Sequence, residues 1–182
     1  MYLALPVLIL GSCGPPETPL AGAARRGDAD EVRRLVKEGA NPDERCGVNN
    51  WTPLMHAVHK EQLATSVALL KAGADADARA GGQTALIMAA SYGNVEIVKA
   101  LLAGGADPYL TMPDGGNALA AAIGGATDID KFTLGQCQTE TIKALLARAP
   151  DLTEGNGAWS KFARLTARAS GCPEVRAGAM RQ

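Results

Sequence analysis

The sequence predicts an all-α solenoid of about four helix-turn-helix repeats, with short hairpin connections and a helical C-terminal cap. Three observations predict it. Thr18-Pro19-Leu20 with Ala23-Ala24 returns as Thr52-Pro53-Leu54 with Ala57-Val58, as Thr84-Ala85-Leu86 with Ala89-Ala90, and as Asn117-Ala118-Leu119 with Ala122-Ile123. The intervals are 34, 32 and 33 residues, and a period near 33 marks stacked supersecondary units. A second block, Glu31 to Asp43, returns from Ser66 to Asp77 and from Glu96 to Pro108, each time as a Leu-containing run closed by Gly39, Gly73 or Gly105. The chain of 182 residues is 47% hydrophobic but only 4% aromatic, which suits one domain of closely packed Ala- and Leu-rich helices.

Each recurring residue has a physical task. Thr18, Thr52 and Thr84 stand where an N-cap hydroxyl accepts from open backbone amides, and Pro19 and Pro53 follow at the first helical position, where no amide hydrogen is missed. The Ala pairs let neighbouring helices approach closely. Asp28 with Glu31 reads as a capping pair for the second helix. Gly39, Gly73 and Gly105 close helices in a left-handed conformation that costs glycine nothing. A turn glycine between helices is present as Gly27 and Gly93, whereas the second repeat carries Glu61.

The predicted repeats run over about 18–50, 51–81, 82–113 and 114–152. The step from Leu101 to Leu145 is 44 residues, so about 11 residues are inserted near 124–138 relative to a standard repeat. Such a connection is either a functional excursion or tolerated surface length. Beyond it, 153–182 reads as a degenerate repeat or C-terminal cap. Trp159, Phe162, Leu165 and Ala169 share one helical face, Lys161, Arg164 and Arg168 project elsewhere, and Gly171 takes the place of the turn glycine.

On these blocks the chain resembles the ankyrin-repeat family over about Thr18 to Asp151. The resemblance implies a Thr-Pro-Leu-His opening, an inner helix, a glycine turn, an outer helix, and Gly-Ala-Asp leading into a projecting hairpin. The His of the opening is replaced by Ala21, Met55, Ile87 and Ala120, so a side chain that knits repeats together is missing and stability is expected to be modest. The resemblance also implies a recognition groove of hairpin tips and inner-helix positions. Carried over position by position, that groove contains Arg25, Arg26, His59, Lys60 and Tyr92, with Trp51, Arg79, Gln83, Tyr109 and Met112 from the hairpins. Trp, Tyr and Arg dominate binding hot spots, so the expected partner is a protein with an acidic surface, bound by a monomer. The competing reading has Trp51 and Tyr109 packing on neighbouring hairpins and the arginines simply solvated.

Other functions are poorly supported. A net charge of −1 lacks the strongly basic balance of a general nucleic-acid binder. His56 and His59 are the two histidines, and no Cys or carboxylate pattern beside them completes a metal site. Asp128 and Asp130 form only a lone D-x-D. No catalytic motif or phosphate loop is present, so neither an enzyme nor a cofactor is expected. The reading from a different class is a structural or protective accessory that shields an envelope enzyme or toxin.

Residues 1–12 open with an apolar run, Met1 to Leu10, too short to span a bilayer. Leu10-Gly11-Ser12-Cys13 resembles a bacterial lipobox, which implies lipidation of Cys13, membrane association through that lipid alone, and a periplasmic or outer-membrane lipoprotein. Residues 13–17 would be a linker. No Lys or Arg precedes the run, as a secretory segment would have. A plain signal peptide, or an apolar cap on the first repeat of a cytoplasmic protein, therefore stays open. Export would permit a disulfide between Cys137 and Cys172, which repeat alignment places near equivalent turns, with Cys46 outside it.

Overall fold

A computed structural model describes residues 18–47, 49–125, 127–128, 131–132, 137–153, 155 and 158–170. Inner helices α1 (Pro19–Arg26), α3 (Pro53–His59), α5 (Ala85–Tyr92) and α7 (Ala118–Gly124) alternate with outer helices α2 (Ala29–Lys37), α4 (Leu63–Lys71), α6 (Val95–Ala103) and α8 (Thr139–Arg148). Inner packs on inner and outer on outer from one repeat to the next, and α9 (Ala158–Ser170) continues the inner layer by packing on α7. The solenoid prediction holds, and the C-terminal cap occupies the place of a fifth inner helix.

The caps form as the sequence requires. Thr18, Thr52 and Thr84 each accept from the amide three residues on, and Asn117 accepts from both Leu119 and Ala120. Asp28 and Asn94 cap α2 and α6 in the same manner. The four positions that lost the family His hold Ala21, Met55, Ile87 and Ala120, all buried. Burial of Leu54, Leu86, Leu101, Ile123, Ile142 and Leu145 fills the space between the two layers, and each such side chain contributes on the order of 2 kcal/mol.

In the first and third repeats the turn between the two helices interlocks with the next repeat. Gly27 and Gly93 are left-handed, with φ of 82° and 73°. Gln62 and Gln138 cap no amide of their own helices; their amide groups lie 2.1 Å from where a Cβ on Gly27 or Gly93 would stand. Asn94 instead turns back to cap α6, and the position before it in the stack tolerates Glu61 at a φ of 57°. A left-handed non-glycine residue costs about 1–2 kcal/mol. Glu61→Gly is therefore expected to stabilise the chain by up to ~1 kcal/mol, since glycine gives back part of the gain as unfolded-state entropy. Urea unfolding checks this, and a lowered midpoint would refute it.

A hydrogen-bond seam runs along the hairpin side. Asn41, Asp75 and Asp107 each accept from the amide two residues on. Asp43 then accepts from the Asp75 amide of the next repeat, and Asp77 from that of Asp107. Where the next carboxylate would stand the chain has Tyr109, whose hydroxyl donates to Asp151 at 2.5 Å. Two-stranded hairpins, β1 (Arg79–Ala80) with β2 (Gln83–Thr84) and β3 (Thr127–Asp128) with β4 (Lys131–Phe132), project from the second connection and from the insertion.

Leu165 departs from the apolar face expected for α9. Among the described side chains of α9, Ser160 and Ala163 are fully buried, Phe162 is half-buried, and Leu165 is 67% exposed. The partner helix α7 is alanine-rich, and close approach to it selects small side chains. The side chains of Trp159 and Ala169, and Gly171, lie outside the described residues.

Candidate interaction surface

Stacking α1, α3 and α5 side by side brings their C-terminal ends together. Arg25 and Arg26 end α1 and are exposed, as is Lys60 at the C-cap of α3. Cations at helix C-termini meet a favourable macrodipole, so three positive charges stand at one end of adjacent inner helices.

Beside them lies an aromatic cluster. Trp51 leaves the first hairpin, where it pairs with Cys46, and its ring lies along α3, with centroids 5.4 Å from His56 and 5.0 Å from His59. His59 reaches across to the next repeat. Its Nδ1 lies 3.0 Å from the Tyr92 hydroxyl, and the rings meet edge-on at 5.9 Å. His59 is buried, which corrects its expected exposure: the rings of Trp51 and Tyr92 cover it from either side. Trp51 and Tyr92 are half-buried and pack on the core, so they present partial faces held in fixed positions. His56 is a member that sequence reasoning missed; it stands between the opening motif and His59, five residues after Trp51, a signal with no repeat counterpart.

The remaining candidates sit apart, along the hairpins. Arg79 is committed to structure: its guanidinium donates to the Thr111 carbonyl at 2.7 Å, while its own carbonyl accepts from Arg45 at 2.5 Å. Gln83 is half-buried in β2, and Met112 is half-buried against the core. Tyr109 is 50% exposed but tied to Asp151. The Asp151 carboxylate holds the phenol in its protonated form and raises the Tyr109 pKa above its ordinary value. The link is therefore intact below the ordinary phenol pKa and is lost as pH rises through the raised one. Asp151→Asn is expected to bring the Tyr109 absorbance titration back toward pH ~10. An unchanged titration would show that the carboxylate is not the cause.

Cys46 is a buried thiol, and Cys137 is disulfide-bonded. Cys13 and Cys172 lie outside the described residues. No group of three or more His, Cys, Asp or Glu able to hold a metal ion occurs among the described residues, nor is any described helix long and apolar enough to cross a membrane.

Comparison with known proteins agrees with this architecture. Two family models match, one described as ankyrin repeats in three copies over residues 4–80, the other as ankyrin repeats in many copies over 69–122. A protein of Treponema pallidum (strain Nichols) described as ankyrin repeat-containing is 33% identical over 92 residues, covering 50% of this chain and 31% of its own length. Inversin of Danio rerio is 38% identical over 95 residues, covering 50% of this chain and 9% of its own. The chain thus spans less than a third of either relative. With matched repeats over 4–122 and the stacked helical pairs above, the chain belongs to the ankyrin-repeat family, whose repeats are protein–protein interaction modules rather than catalysts.

Proposed function

We propose that this protein binds an acidic protein surface, as a monomer, through the inner-helix face around Trp51, His59 and Tyr92. The observation that carries the reading is the ring cluster with Arg25, Arg26 and Lys60 at its edge. Partly exposed aromatics already locked in place lose little conformational entropy on binding, and that immobilisation is a main cost of association. The neighbouring cations steer an acidic partner and speed its encounter.

A photocrosslinking residue at Lys60 tests this when compared with one at Lys99 on an outer helix. The protein made in a bacterial host is expected to give a discrete adduct from position 60 and none of the same mass from position 99. Arg26→Glu with Lys60→Glu, both exposed sites, is expected to reduce that adduct at least tenfold. An adduct unaffected by the reversal would refute the basic-strip reading.

We further propose export as a lipoprotein modified at Cys13. The disulfide at Cys137 supports it, because such bonds persist in oxidising compartments. Cys172 is the proposed partner: α9 stacks on α7 with the inner helices, and Cys172 follows two residues after the end of α9. Mass spectrometry of the N-terminal peptide decides the question, since an unmodified Met1 in the mature protein would end the lipoprotein reading.

A further inference from the structure

The outer helices do not close against each other equally. Between α4 and α6, Leu70 lies so near Gly104 that a Cβ there would stand 2.9 Å from its Cδ1. One repeat later Arg148 occupies the place of Gly104, so the backbone there carries a side chain where α6 has none. A groove of about 320 Å³ opens between α6 and α8, lined by Lys99, Leu102, Ala103, Ala144, Ala147 and Arg148. Its walls are apolar apart from the two cations. In the repeat register Arg148 lies five positions beyond Lys99, roughly 7.5 Å along the helix axis. Lys99 pairs with Glu96, but both are well exposed, at 58% and 60%. Such pairs are worth little and exchange readily.

We propose that this outer groove docks an acidic amphipathic helix of a partner protein. An apolar side chain would sit over Leu102 and the alanines, while carboxylates one turn apart meet Lys99 and Arg148. Helices commonly enter grooves by such anchors. Carboxylates at i and i+4 start about 6 Å apart; Lys99 and Arg148 stand on facing helices, whose axes pack about 8–10 Å apart, so the two long side chains converge on such a pair from opposite walls of the groove. The volume is at the small end of ligand pockets, about 300 Å³, and admits an apolar side chain with room to spare. A basic helix would place like charges on both ends of the groove, which gives the site its selectivity. The surface is separate from the inner-helix face and does not depend on it.

A fluorescent synthetic helix with one leucine between two glutamates one turn apart is the probe, titrated against the full chain by anisotropy. The expected result is saturable binding that weakens at least tenfold with Lys99→Glu/Arg148→Glu. The same loss is expected with Ala147→Leu, which fills the groove from an exposed position and leaves the helical spectrum unchanged. Arg26→Glu/Lys60→Glu is expected to leave binding intact. The inference is overturned if no binding occurs at millimolar peptide, if the matched lysine peptide binds equally, or if Ala147→Leu binds normally. Displacement of the peptide by dodecanoate at lower concentration would also overturn it, by making an anionic amphiphile the better occupant.

Discussion

Gly155→Ala is expected to detach α9 from the stack and to cost about 2–3 kcal/mol. The residue has a φ of 81°, and a Cβ there would stand 2.2 Å from the Gly115 carbonyl oxygen. The conformation alone costs about 1–2 kcal/mol; the oxygen is backbone and cannot swing aside as a side chain can. The Gly116–Gly155 bridge and the Asn117 Nδ2 bond to the Thr153 carbonyl hold the start of the last unit, so both are disturbed together. Gly39 is the control, since it is equally left-handed, at a φ of 98°, with nothing within 4 Å of its missing Cβ. Hydrogen exchange is expected to show protection lost in α9 and kept in α1 to α6, because each repeat depends mainly on its neighbours. Equal costs at Gly39 and Gly155 would refute the contact as the cause.

Reduction of the bridge at Cys137 is expected to have an effect of similar size. With Cys172 as the proposed partner the bond closes a loop of roughly 35 residues, for which the chain-entropy account gives about 3–4 kcal/mol. In a domain of this length that corresponds to a fall in Tm of about 6–16 °C. Thermal unfolding with and without reductant, repeated on Cys172→Ser, measures it. A Tm insensitive to reductant would show that the bridge restrains little. A Cys172→Ser protein that remained sensitive would transfer the partnership to Cys13.

The positions of the helices were legible because each repeat restates its backbone rules. Thr52 must cap and Gly93 must turn whatever lies beside them, so matching residues across repeats locates both. Side-chain contacts between repeats follow no such rule. His59 and Tyr92 occupy different places in their repeats, and their diagonal hydrogen bond cannot be read by aligning the two. His59 therefore looked like a groove position and proved to be covered. Arg79 looked like a contact residue, but its neighbours in space are carbonyls 3 and 32 positions away, one within its own hairpin and one in the next. The apolar spacing of α9 pointed to Trp159, Phe162, Leu165 and Ala169; of the two whose side chains are described, Phe162 is half-buried and Leu165 exposed, while Ser160 and Ala163 face inward beside the alanines of α7. The glutamine-over-glycine interlock was open to inspection, since Gln62 and Gln138 each stand one repeat after a turn glycine while Asn94 follows Glu61. It becomes meaningful only once the distances are known.

The seam of carboxylates and amides from Asn41 to Asp151 lies on the hairpin border of the solenoid. Its members from Asn41 to Asp107 are short side chains bonded directly to backbone, so that border has little capacity to lengthen. The opposite border, where Arg25, Lys60 and Tyr92 stand, is joined through longer side chains, among them the His59–Tyr92 pair and the glutamines over Gly27 and Gly93. Changes in curvature are therefore taken up unequally: the hairpin border acts as the spine of a fan, and the inner-helix ends spread or gather like its ribs. The spacing between the cations and the aromatic rings is the dimension that such motion alters first.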